Sequence, residues 1–150
     1  MIGLKKTTKL AENENSINNR DYRTGRFLLI RAFVILEYGD VTDLVSLINI
    51  CKEYNPHEIY HLAAQSHVKI SFGQPSFTTD TIATGTLNIL EAARSMCPDA
   101  RIYLAGSSEM YGNECDEDGF RRETTIMKPV SPYGCSKVYA FHLGRTYSES

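Results

Sequence analysis

Arg101-Ile102-Tyr103-Leu104-Ala105-Gly106-Ser107-Ser108-Glu109-Met110-Tyr111-Gly112, followed later by Pro132-Tyr133-Gly134-Cys135-Ser136-Lys137, is the stretch on which the fold turns. Ile102 to Ala105 is a short apolar run stopped by Gly106, which reads as a buried strand with a small-residue break. Two serines and a carboxylate follow at its carboxyl end. Pro132 then opens a helix on which Tyr133 and Lys137, four apart, share a face. A tyrosine with a pKa near 10 is a poor base at neutral pH, but a nearby ammonium favours its phenolate. Lowering that pKa by about three units takes roughly 4 kcal/mol, which requires a close, partly desolvated cation. A hydroxyl at Ser107 can bond a reacting alcohol, and Glu109 can remove a carbon-bound proton beside a carbonyl. Read singly, these are a polar loop with an N-cap and a chance Tyr–Lys pair. Gathered at the end of one strand, they form a proton-transfer set.

Working outward, the chain alternates strands and helices. Residues 1–20 are polar and without pattern, and they read as a disordered or unrelated tail. A short helix through Phe27, Leu28 and Ile30 and a strand at Phe33–Tyr38 come next, closed by Gly39-Asp40. Thr42 or Asp43 caps a helix with Leu44, Leu47, Ile48 and Cys51 on one face, ending before Asn55-Pro56. Glu58 to Leu62 is a short strand. Residues 63–75 read as a loop, with Gly73 and Pro75 as breakers. A long helix follows from about Thr79 to Met96. This order predicts an α/β protein: a partial Rossmann-like parallel sheet with right-handed crossovers and helices on both faces. Ligands of such sheets gather at the strands' carboxyl ends, where Asp40, Ala63–Ser66 and Ser107–Glu109 all lie.

Composition narrows the classes. In 150 residues, 42% are hydrophobic and 23% charged, enough for one domain of about 100–150 residues with a single core. A net charge of -2 argues against a nucleic-acid binder. No apolar run approaches the ~18 residues of a membrane span, and the start of the chain lacks a signal-like apolar core, so the expected location is cytoplasmic. Cys51, Cys97, Cys115 and Cys135 include no C-x-x-C pair, which reads as reduced thiols. One motif competes: His57-Glu58-Ile59-Tyr60-His61 fits H-E-x-x-H, with His67 placed as a third zinc ligand. That reading requires a helix, since on a strand the two histidines stand about 13 Å apart at ~3.3 Å per residue.

These segments resemble the extended short-chain dehydrogenase/reductases, and within them the GDP-mannose 4,6-dehydratases. The resemblance rests on residues 21–26, Tyr38–Asp43, Glu58–Phe72, Gly106–Gly112 and Ser131–Lys137, and covers about residue 21 to the end. It implies that Tyr133 deprotonates the hexose 4-hydroxyl as hydride leaves C4, with Ser107 (usually Thr in the family) bonding that oxygen. Glu109 then takes the C5 proton, water leaves C6, and hydride returns to C6. It implies NADP as cofactor, with NAD the alternative. Lys137 would hold the nicotinamide ribose and lower the tyrosine pKa. Asp40 and Val41 would meet the adenine, while Leu62, Ala63, Ala64, Gln65 and Ser66 line the cofactor. Phe77 stands near it in place of a family Tyr. The substrate implied is GDP-mannose, and the full-length family implies a homo-oligomer. Glu109 favours a dehydratase over an epimerase of the same family, the alternative activity.

The departures shape a further expectation. No G-x-x-G-x-x-G occurs, so the first βα unit with its phosphate loop is lacking, and so is a substrate domain after Ser150. In a sheet of order 3-2-1-4-5, two strands missing between residues 33–38 and 58–62 leave a gap or force re-pairing with exposed edges. Residues 21–150 therefore read as a partial NAD(P)-binding domain, expected to bind NADP weakly and turn over little alone. An inactive nucleotide-binding or interaction remnant is the alternative, and a zinc hydrolase a third.

Overall fold

The computed structural model describes residues 2–5 and 37–149. The helix and strand read at residues 24–36 lie outside the described residues. Glu37 and Tyr38, the end of that expected strand, carry no regular structure and are exposed.

The core is built where the sequence places its apolar periodicity. Helix α1 (Leu44–Tyr54) starts at Asp43, whose carboxylate accepts from the Val45 and Ser46 amides at 3.0 and 3.3 Å. It stops at Asn55, which takes a left-handed conformation ahead of Pro56. Strand β2 (Glu58–His61) follows, and it pairs in parallel with β3 (Arg101–Leu104), Ile59 opposite Ile102. Between them runs a nearly continuous helical stretch: α3 (Pro75–Thr79), a π-type turn (Asp80–Thr84) and α4 (Gly85–Met96). The turn is marked by the Gly85 amide reaching back five residues to Asp80 O. Leu47 and Cys51 of α1, Ile59 of β2, and Ile89, Ala92 and Ala93 of α4 close into one buried cluster, with Ile102 packed against it.

Strand alternation decides which face is covered. Ile59 and His61 are buried toward the helices, whereas Tyr60 and Tyr103 stand exposed on the other face, their rings 6.0 Å apart. Helix α5 (Pro132–Ser148) joins α4 on the covered face, where Gly144 lies against Leu104. The α/β Rossmann-like class is as expected, with the cover of the described residues on one face of the sheet.

Two expectations change. The stretch 63–75, read as a loop, contains helix α2 (Val68–Gly73), with Ser71 fully buried. Gly73 and Pro75 are punctuation between two helices: α2 ends at Gly73 and Pro75 occupies the first turn of α3, where its missing N–H costs nothing. The second change is at the start of the chain. Ile2–Lys5, inside the expected tail, form strand β1, paired antiparallel with β2 in the register Ile2 opposite His61. The sheet order among the described residues is β1-β2-β3. The edge of β2 opposite β3 is thus covered by a strand of opposite direction, because backbone pairing needs no particular side-chain pattern.

Candidate functional site

The site grows from the carboxyl end of β3. Ser107 leaves the strand in an extended conformation and caps a single helical turn, Ser108–Met110, by accepting from the Glu109 amide at 3.2 Å. This bond uses an oxygen lone pair and leaves the Ser107 O–H free to donate. Glu109, half-buried, rides on the same turn. The turn is locked to α5 through Gly134, since a methyl there would meet Glu109 O at 2.6 Å and Pro129 Cβ at 2.9 Å. Helix α5 begins at Ser131, whose Oγ accepts from the Gly134 amide at 3.0 Å, with Pro132 in the first turn.

Tyr133 and Lys137 follow one turn apart on the buried side of α5, 8% and 7% exposed. The Lys137 ammonium sits 5.9 Å from the Tyr133 ring centre and donates to Ala105 O at 2.8 Å. Burial lowers the Lys137 pKa below that of a free lysine. A desolvated cation held beside a buried phenol is what the tyrosine-base reading requires. Around Tyr133 pack Ile82, Ala140, Ala64 and Val68.

The cofactor-side residues divide. Asp40 and Phe77 meet at one hollow of about 450 Å³, shared with Thr42, Asp80, Thr81 and Thr84. The Asp40 carboxylate accepts from the Thr42 amide and hydroxyl, both at 2.8 Å, and these bonds hold its pKa below the usual carboxylate value. Val41, expected beside Asp40, turns instead into the core against Gly85, and its carbonyl accepts from Asn88 at 2.9 Å. Leu62 and Ser66 are exposed, while Ala63, Ala64 and Gln65 are half-buried. Gln65 is held by the buried Thr78 hydroxyl at 3.0 Å and donates to His67 O at 3.1 Å.

The zinc arrangement is not formed. Glu58–His61 is a strand, so His57 is exposed at its start while His61 is buried at its end. Among the described residues no group of three or more His, Cys, Asp or Glu could hold a metal ion, and no helix is long and apolar enough to cross a membrane.

Sequence reading missed three contributors. Gly134, a helix-weakening residue in the first turn of α5, is the available signal of a close backbone approach. The acidic loop after Gly112 carries its own cations: Arg122 bridges Asp116 and Asp118 at 2.7 and 2.5 Å, and Lys128 meets Glu114 at 3.0 Å. His61 was weighed only as a metal ligand. It lies 5% exposed beside Thr86, its Nε2 3.2 Å from the Thr86 hydroxyl.

The family model for GDP-mannose 4,6 dehydratase matches residues 4–150. The GDP-mannose 4,6-dehydratase of Yersinia enterocolitica is 46% identical over 117 residues, 77% of this chain and 31% of that one. Among solved structures, UDP-glucose 4-epimerase from Brucella ovis in complex with NAD is similar at TM-score 0.70 and 25% identity, covering 76% of this chain and 34% of that one. RMD from Pseudomonas aeruginosa complexed with NADPH is similar at TM-score 0.70 and 27% identity, covering 79% and 39%. The chain thus spans about a third of the length of the curated relatives it matches.

Proposed function

We propose, for a chain that belongs to the GDP-mannose 4,6 dehydratase family, that it carries the catalytic residues of a dehydratase converting GDP-mannose to GDP-4-keto-6-deoxymannose. The observation that carries the reading is the buried Tyr133–Lys137 pair docked through Gly134 onto the Ser107–Glu109 turn.

Tyr133, as phenolate beside the Lys137 ammonium, takes the proton of the sugar 4-hydroxyl. The free Ser107 O–H donates to the same oxygen and holds it as the carbonyl forms. Glu109 removes the C5 proton, which the adjacent 4-keto group has made acidic, and water departs from C6. A nicotinamide cofactor, NADP by the resemblance and NAD otherwise, supplies the reversible hydride acceptance that opens and closes this sequence. Residues able to hold it are present at two ends. The Asp40–Phe77 hollow suits the adenine, and Lys137 spends one N–H on Ala105 and can turn another to a ribose. Between them the small residues Ala63 and Ala64 permit close approach. Val41 contributes through its backbone, its side chain being in the core.

The test is a chimera in which residues 37–149 replace the matching segment of the Yersinia enterocolitica relative. Conversion of GDP-mannose, followed by NMR with solvent deuterium entering at C5, is expected in the chimera. Tyr133→Phe should abolish it, and Glu109→Gln should block water loss. An inactive but folded chimera, or an active one indifferent to Tyr133→Phe, refutes the assignment. The 150-residue chain alone is expected to bind NADP weakly and to turn over little.

A further inference from the structure

The buried histidine of β2 has a role that the dehydration chemistry leaves unassigned. Thr86 gives its single hydroxyl proton to Ile82 O at 2.6 Å. Its oxygen can therefore only accept from His61 Nε2, which fixes the proton of the neutral ring on Nε2. The Nδ1 lone pair is then an acceptor. It is buried and has no partner among the described residues, although a buried polar atom without a bond costs about 1–3 kcal/mol.

Its neighbourhood shows what the lone pair serves. One residue links His61 to Lys137: the Ala105 amide donates to His61 O at 3.3 Å, while Ala105 O, in the next peptide, accepts from Lys137 Nζ at 2.8 Å. His61 and Lys137 are thus anchored to the same residue, and the Lys137 charge reaches the imidazole. Burial first, and the Lys137 charge second, push the His61 pKa down to about 4, so the ring stays a neutral acceptor. An ammonium has three protons to place, and the carbonyl takes one.

We propose that His61 is a positioning residue for the Lys137–Tyr133 pair: its Nδ1 accepts from a buried water that also accepts from Lys137 Nζ. This three-point hold keeps the ammonium charged and aimed at Tyr133, and so keeps the phenolate accessible. Thr86 contributes by setting the tautomer. The inference rests on Lys137 being the cation that serves a tyrosine base.

The test uses the full 150-residue chain labelled with 15N-histidine and 13C-tyrosine, and it needs no turnover. In the parent, NMR should find His61 protonated at Nε2, with an Nδ1 shift typical of a hydrogen-bonded acceptor. His61→Phe should raise the Tyr133 pKa by about one unit, a tenfold loss of phenolate at fixed pH. His61→Asn, which restores an acceptor, should bring it back toward the parent value. Should His61→Phe fail to fold, Thr86→Val keeps the imidazole, and it should release the tautomer and raise the Tyr133 pKa. A proton on Nδ1, a free-lone-pair shift, or a Tyr133 titration that moves in none of the folded variants overturns the proposal. So does a His61→Asn variant that titrates like His61→Phe. Shifts as expected in a chain whose chimera is inactive would remove the dehydratase reading and leave the His61 hold standing.

Discussion

Replacing Gly134 with alanine tests whether the contact between α5 and the Ser107–Glu109 turn sets the geometry of the site. A methyl at that position meets Glu109 O at 2.6 Å, Pro129 Cβ at 2.9 Å and Glu109 C at 3.3 Å. Neither a backbone carbonyl nor a proline ring can rotate aside. To open 2.6 Å to the 3.4 Å at which ordinary contact begins, the two backbones must part by about 0.8 Å. Such overpacking costs about 1–3 kcal/mol, and alanine returns about 1 kcal/mol of helix propensity. The net loss of stability is roughly 0–2 kcal/mol. Catalysis is more sensitive under the proposed function, in which Glu109 and Tyr133 address neighbouring carbons of one sugar. A misplacement near 1 Å costs about 100-fold. The expected signature is therefore a slight fall in the urea midpoint of the 150-residue chain beside a 30- to 100-fold loss of GDP-mannose conversion in the chimera (about 100-fold being the limit for a full 1 Å). Gly73→Ala is the control, since nothing lies within 4 Å of a methyl there, and it should leave both nearly unchanged. A Gly134→Ala chimera that turns over within a few-fold of its parent refutes the idea that this contact sets the site.

Acid should destabilise the chain through His61. Its folded pKa of about 4 lies below the unfolded 6.5, so the unfolded state binds the proton first as pH falls. Stability is then lost from pH 6.5 down to about 4, by about 3 kcal/mol in all, and His61→Asn should flatten that slope in urea titrations at several pH values. Lys137→Met should raise the Tyr133 pKa by removing the adjacent ammonium, seen by titrating the labelled tyrosine; an unmoved pKa would separate the two residues. Asp43→Ala removes the acceptor for the Val45 and Ser46 amides and should cost about 1 kcal/mol by denaturation, with no change at Tyr133. Ile59→Ala, at a side chain 1% exposed where α1, α4 and the sheet meet, should cost about 2–5 kcal/mol and bring the chain close to unfolding.

How far the sequence reveals this site follows from the range of the interactions involved. The cap at Asp43, the stop at Asn55-Pro56 and the Tyr133–Lys137 face depend on neighbours within one helical turn, and all three are legible from spacing alone. Helix α2 is not, because Gly73 and Pro75 break a loop and separate two helices with the same local chemistry. What tips the choice is the burial of Ser71 against distant elements. Val41 looks like a ligand-side residue beside Asp40 until Gly85, far along the chain, draws it into the core. His61 shows the same limit most sharply. Within its own segment it completes a metal-like motif, and only the extension of β2 carries it too far from His57 to share an ion. Only two remote residues then give it meaning: Thr86 fixes its proton, and Ala105 ties it to Lys137. The candidate catalytic groups can be named from local pattern because the proposed chemistry demands their types. The groups that hold those side chains in place are chosen by packing across the sheet, so a residue such as His61 acquires its role only when β2, β3, α4 and α5 are brought together.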